Sequence, residues 1–299
     1  MTVIVVGDVV TDIVTVHEGP LAIGSDTLAS VRAGGGGSAA NTAAWLGSVG
    51  HPVTFAGVAG DDEPGTARLA ELVAAGVTTT VRRVPGVATG TVVVLASDAE
   101  RTMFTDRGAN RLLSPADVDR ALDATPDGRH LHLSAYVLFD PDCAPAGRHA
   151  LLAARERGLT TSLDAASAAP LERLGPAFWS SVPEVDLLFA NLDEARVLAG
   201  PSGTAADLAA ALLDRAGAVI VKSGAGGATW AGPAAPPVHA PAVPVARVID
   251  PTGAGDAFAA GFLAAWLSGA SPADALSTGA RLGALAVAQV GGRPSATGR

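Results

Sequence analysis

Seven residues near the end of the chain, Asp250-Pro251-Thr252-Gly253-Ala254-Gly255-Asp256, place two carboxylates, a hydroxyl and two glycines directly before an apolar run at residues 257–267. A glycine-rich turn that opens a helix exposes bare N–H groups, with the positive end of the helix dipole behind them. Such a place suits developing negative charge. Phosphoryl transfer to an alcohol needs it, together with a carboxylate within hydrogen-bonding reach of the attacking hydroxyl. Asp256, in the first turn, can be that base, and Gly253, Ala254 and Gly255 the anion hole. A lone first-turn aspartate usually does no more than offset the dipole; the whole string is what marks Asp256 as a base.

A second constellation lies near the start. Ala33-Gly34-Gly35-Gly36-Gly37-Ser38-Ala39-Ala40-Asn41 joins a half-exposed strand to a helix, and its glycines let a ligand sit directly on the backbone. By itself the glycine run reads equally well as a flexible turn. It also fits a dinucleotide fingerprint through Gly35, Gly37 and Ala40, with acids at Asp61 and Asp62, which would make the protein an NAD-dependent oxidoreductase. Against this, residues 28–32 alternate polar and apolar, whereas the first strand of a dinucleotide fold is buried on both faces.

Two further strings follow apolar runs. Asn191-Leu192-Asp193-Glu194 comes after residues 187–190, and Lys222-Ser223-Gly224-Ala225-Gly226-Gly227 comes after residues 219–221. Alone, the first is an ordinary helix start with acids in its first turn. Lys222 is either a solvated strand-end lysine or a phosphate contact. No Gly-x-x-x-x-Gly-Lys-Ser/Thr string exists, so any bound phosphates must be met by the helix at Gly253.

The elements that must position these residues alternate. Apolar runs at 3–6, 53–58, 130–133, 160–163, 187–190 and 219–221 read as buried strands. Helical patterns at 38–49, 64–75, 114–124, 144–157 and 205–215 lie between them, which predicts an α/β doubly wound sheet. Residues 28–32, 90–96 and 101–105 break the rhythm as half-exposed strands, with hairpin chemistry at 97–100, and suggest a small β-sheet lid. Residues 231–246, rich in proline and alanine, read as a loop or edge strand.

The 299 residues give room for a well-buried core, and hydrophobic residues at 48% against 16% charged make disorder a poor reading. A net charge of −9 disfavours nucleic acid and anionic membranes as partners. Cys143 stands alone, so no intrachain disulfide and no cysteine metal cluster can form, which fits the cytoplasm. The start, acidic by Asp8, lacks the basic region of a signal peptide, and 257–267 is too short to span a bilayer.

The C-terminal string resembles the signature of the ribokinase-like (PfkB) carbohydrate kinases, and the other motifs follow that family's order from Gly7 to Ser295. The resemblance implies a single domain over residues 1–299. Its fold is a ribokinase-like three-layer α/β/α sandwich with a mostly parallel central sheet and a small lid, at about 12–33 and 88–107. It implies ATP and Mg2+, with K+ as a further candidate, and a small sugar-like substrate. By the same resemblance Asp256 is the base, and Asp12, five residues past Gly7 and read as the end of the first strand, meets the acceptor together with Gly36, Gly37, Asn41, Arg107 and Asn110. Asn191, Lys222, Gly224, Gly227 and Gly255 meet ATP, and Glu194 acts through water on magnesium. Asp250, Thr252, Ala286, Gln289, Gly291 and Ser295 surround a monovalent cation.

The acceptor stays open. Ribose kinases carry asparagine and glutamate where Val10 and Ser134 stand here, which argues against ribose itself. Arg107 can either pair a substrate carboxylate or cross-link the lid. A nucleoside kinase is a second reading, weakened by aromatics at only 4%, though Phe104 sits in the lid. A silent carbohydrate-binding regulator is a third, and a buried base facing an anion hole argues against it. The exposed lid strands point to a homodimer formed edge to edge.

Overall fold

The computed structural model describes residues 1–17, 19–96, 101–233 and 235–295. Its strands are β1 (Thr2–Val6), β2 (Val10–His17), β3 (Ala29–Gly36), β4 (Val53–Gly60), β5 (Thr78–Val84), β6 (Thr89–Ala96) and β7 (Arg101–Gly108). After these come β8 (Gly128–Ser134), β9 (Thr160–Asp164), β10 (Val185–Asn191), β11 (Ala216–Lys222), β12 (Ala228–Ala231) and β13 (Val238–Ala240). The helices are α1 (Ser38–Ser48), α2 (Glu63–Ala74), α3 (Pro115–Ala124), α4 (Ala144–Glu156) and α5 (Ala168–Leu174). They continue with α6 (Ala177–Ser181), α7 (Leu192–Ala199), α8 (Ala205–Ala211), α9 (Ala254–Trp266) and α10 (Pro272–Val287).

Nine strands form the main sheet in the order β13-β12-β11-β10-β9-β8-β1-β4-β5. From β11 to β5 every neighbour is parallel; β12 and β13 are added antiparallel at one edge. The alternation of side chains along β1 explains its unbroken apolar run. Ile4 and Val6 face a core with α3, α4 and α8, while Val3 and Val5 face a second core with α1, α9 and α10. Both faces are covered, so the expected three-layer sandwich is the architecture found. The proline-rich segment supplies the edge strand β13, where few N–H groups are needed. No helix among the described residues is long and apolar enough to cross a membrane.

A separate four-stranded sheet, β3-β2-β6-β7, is the expected lid. Val14 and Val94 pair on one face of the lid and are buried, whereas Val31 and Phe104 lie on the other face and are exposed; Val16, on the face of Val14 but near the end of β2, is exposed as well. The hairpin turn expected at 97–100 lies outside the described residues.

Three sequence readings are corrected. Asp12 sits in β2, the first lid strand, and not at the end of β1. The glycines 34–36 are strand rather than turn: they end β3. Their lack of side chains makes room for others, since a Cβ on Gly36 would lie 2.1 Å from Asp12 Oδ1. Finally, α8 stops at Ala211, four residues short of the expected end, because the chain must turn there to enter β11 at Ala216.

Candidate active site

The parallel strands β1, β8, β9, β10 and β11 end at Val6, Ser134, Asp164, Asn191 and Lys222, all at the same edge of the main sheet. Ligands in open α/β sheets bind outside the carboxyl ends of the strands. The lid and the N-terminus of α9 meet that edge.

Asp256 is the third residue of α9, whose N-cap Gly253 has the left-handed φ of 75°. A Cβ on Gly253 would strike the Gly292 backbone, so the turn and the C-terminal tail approach each other this closely only because residue 253 is glycine. Asp256 reaches across to α1: Ser38 Oγ donates to Oδ1 and Asn41 Nδ2 donates to Oδ2, each at 2.9 Å. The carboxylate is thus fixed by the helix that follows the glycine run. Burial and the charge of Asp164 push its pKa up to about 6, although the bonds from Asn41 and Ser38 and the charge of Lys222 pull it down.

Of the amides expected to form an anion hole, that of Ala254 turns back to the Pro251 carbonyl at 3.3 Å. The amides of Gly255 and Asp256 lie in the first helical turn, where no preceding turn offers a partner.

Asp12 is 7% exposed, and its carboxylate has neither a hydrogen bond nor an ion pair among the described residues. Burial pushes its pKa up to about 7, against the charge of Arg293 and with that of Asp256 and Asp250. A carboxylate with so little exposure and no protein donor is poorly solvated, which is what disfavours its charge. Gly36, the last residue of β3, lies beside it, and Gly37 follows as the N-cap of α1, against the Asp8 carbonyl.

Arg107 and Asn110 are engaged elsewhere. Arg107 makes a two-point pair with Asp8, at 2.7 and 3.1 Å, and comes within 3.3 Å of Asp140. Of the two sequence readings, this arrangement is the lid cross-link, since a substrate carboxylate would have to displace two resident ones. The Asn110 carboxamide accepts from Val9 N and donates to the carbonyls of Val9 and Arg107. It ties the lid to the loop after β1 and holds no free group for the acceptor.

Among the residues expected to meet ATP, Lys222 is no solvated lysine. Its Nζ donates to Asp164 Oδ2 at 2.7 Å, with both side chains largely buried. It also lies 3.2 Å from where a Cβ of Gly255 would stand, beneath the mouth of α9. Glu194 and Asn191 form a reciprocal cap at the start of α7. Burial pushes the Glu194 carboxyl up, against the charge of Lys222. Gly224 and Gly227 bound the short turn between β11 and β12, at positive φ.

The residues expected around a monovalent cation gather between α9, α10 and the tail. Asp250 accepts from the amides of Thr252 and Gly291, both at 2.9 Å. The Gln289 amide donates to the Ala286 carbonyl at 3.3 Å. The Gln289 side chain donates to the Arg293 carbonyl and accepts from Ser295 N, closing the tail on itself. Trp45 Nε1 of α1 donates to the Gly292 carbonyl at 2.9 Å. Trp45→Phe should therefore cost about 1–2 kcal/mol of stability, read from urea unfolding, because it leaves that buried carbonyl unpaired.

Sequence reasoning missed Asp164, Ser38, Asp8 and Arg293. Asp164 had a signal: it is the polar residue at the carboxyl end of a buried apolar strand. Arg293, whose Nη1 donates to Glu71 and the Arg68 carbonyl and Nη2 to the Gly36 carbonyl, had none.

A profile of the pfkB family carbohydrate kinases matches residues 2–297, and the chain belongs to that family. It is an enzyme of the carbohydrate kinase class. An ATP-dependent ribose-1-phosphate kinase of Halopiger xanaduensis is 34% identical over 285 residues, covering 93% of this chain and 88% of that one. A deoxyribokinase of Salmonella typhimurium is 27% identical over 267 residues, covering 86% and 83%. The crystal structure of adenosine kinase from Sinorhizobium meliloti has a TM-score of 0.85 at 25% identity, covering 98% and 95%.

Proposed function

We propose that this chain, as a single catalytic domain, transfers the γ-phosphoryl group of ATP to a hydroxyl of a pentose-type acceptor. The observation that carries this reading is the fixed carboxylate of Asp256, held by Ser38 and Asn41 at the open N-terminus of α9. Asp256 takes the proton of the attacking hydroxyl. The amides of Gly255 and Asp256 and the Lys222 ammonium meet the charge that develops on the moving phosphoryl group. Asp12, buried and without a partner, accepts from acceptor hydroxyls, and Asn41 keeps the base in line. The two sequence relatives act on a phosphorylated pentose and a deoxypentose by name, which favours pentose-type acceptors over nucleosides.

Magnesium fits this site through water. Among the described residues no group of three His, Cys, Asp or Glu side chains is placed to hold a metal directly, and Glu194 and Asn191 face the Lys222 cluster as carboxylate and amide. The ion would neutralise phosphate charge while keeping much of its hydration. Asp250, with the carbonyls around Ala286, Gln289 and Gly291, is an oxygen-only donor set with one charge, which suits potassium. The exposed Val16, Val31 and Phe104 on the lid favour a homodimer.

The test is an ATP-consumption screen with ribose, 2-deoxyribose, ribose 1-phosphate, hexoses, sugar acids and nucleosides. Turnover with a pentose-type acceptor is expected; turnover with nucleosides alone would favour the second reading, and none with any acceptor would refute the first. With the productive acceptor, kcat/KM should fall on the acid side near pH 6, because protonated Asp256 cannot take a proton. A pH–rate profile checks this.

A further inference from the structure

We infer that Asp164 is a positioning residue for phosphoryl transfer: it holds the Lys222 ammonium at the mouth of α9, where the migrating group must pass. The inference rests on the kinase reading and adds a residue to it. Asp164 closes β9 and is 5% exposed. Both of its oxygens are committed, Oδ1 accepting from Ala166 N at 2.9 Å and Oδ2 from Lys222 Nζ at 2.7 Å. Ala166 is the one non-glycine residue with positive φ among the described residues, at 68°. The backbone there is held in a costly conformation that turns its amide onto Asp164.

The consequence falls on Lys222. An ammonium has three N–H donors, and among the described residues Lys222 gives one hydrogen bond, the one to Asp164. Burial lowers its affinity for the proton, but Asp164 and Glu194 together outweigh that and keep it charged. A buried cation with two donors in hand, beside the first-turn amides of α9, is complete only when anionic oxygens arrive. Without Asp164 the long lysine side chain would have no fixed end, and its charge would be spread over several rotamers.

The titratable groups around Asp256 come from several elements: Asp164 from β9, Lys222 from β11, Glu194 from α7, Asp12 from β2, and Tyr136, a neutral phenol, from the turn after β8. Removing the negative charge of Asp164 should therefore move the acid limb of the rate profile to lower pH, as well as slow the chemical step. A residue that merely supported the fold would leave that limb in place.

The experiment uses the full chain with MgATP and either ribose 1-phosphate or 2-deoxyribose. Asp164→Asn should lower kcat by roughly 10- to 100-fold, with the acceptor KM within about twofold and the acid limb displaced downward by up to about one pH unit. In a second comparison, adding Asp164→Asn to Lys222→Met should cost less than about twofold beyond Lys222→Met alone, because Asp164 acts through the lysine. That comparison removes both buried charges together, so it decides the question even if Asp164→Asn alone fails to fold. Wild-type kcat with an unmoved acid limb in Asp164→Asn, or a further loss above tenfold in the double variant, would overturn the inference. A wild-type protein without turnover or MgATP binding would instead sink the kinase reading.

Discussion

Asp256→Asn should lower kcat by at least roughly a hundredfold while leaving the protein as stable as the wild type at pH 8 or more so. The loss follows from removing the proton acceptor without changing the shape of the site: an asparagine oxygen can still accept from Asn41 or Ser38. The stability half follows from the direction of the pKa shift. An unfolded aspartate ionises near 3.8, and Asp256 in the folded chain near 6, because burial and Asp164 disfavour its charge. Its contribution to stability is therefore full below about pH 4 and is lost as pH rises through 6. At pH 8 the ionised carboxylate is a cost that asparagine removes. Initial-rate assays and thermal unfolding at pH 8 check the two halves. A large drop in unfolding temperature beside the lost activity would mean that Asp256 is structural.

Asp12→Ala should act on the other substrate. Hydrogen bonds to a charged group contribute about 1.5–3 kcal/mol each, so losing the acceptor's grip on Asp12 should reduce kcat/KM by about 100-fold, mainly through the acceptor KM. The KM for ATP should stay within about twofold, since Asp12 lies on the lid strand β2 and Lys222 at the end of β11. As with Asp256, burial holds the Asp12 carboxyl well above its ordinary value, at about 7, so removing it should not unfold the protein at pH 8. Steady-state kinetics with each substrate varied in turn separate the two constants. A raised KM for ATP with an unchanged acceptor KM would take Asp12 out of the acceptor site.

The fold was legible where short-range pattern determines structure. Residues 3–6 are apolar at every position because β1 is covered on both faces, and that is readable without any partner in view. The place of Asp256 in the first turn of a helix was legible for the same kind of reason, since its neighbours in sequence are the turn and the helix themselves. The glycine run was misread, because glycines 34–36 argue locally for a turn, and only the side chains of Asp12 and Arg293 on either face explain a strand there. Asp164 with Lys222, Asp8 with Arg107 and Glu71 with Arg293 are long-range pairs, 58, 99 and 222 residues apart. No periodicity or local motif encodes such pairs. They are consequences of which strand ends the topology brings to one edge, which also explains why Arg107 could be located in the lid while neither it nor Asn110 could be given its partners.

The central claim is that one carboxylate, on the first turn of α9, faces both the acceptor hydroxyl and the phosphoryl group. The most direct measurement is a crystal structure with a pentose-type acceptor and a non-hydrolysable ATP analogue bound together. An acceptor hydroxyl within about 3 Å of an Asp256 oxygen, in line with the γ-phosphorus and with Asp12 on the neighbouring hydroxyls, is the predicted result. An acceptor bound elsewhere, or one whose nearest hydroxyl faces another carboxylate while Asp256 stays on Ser38 and Asn41 alone, would contradict it.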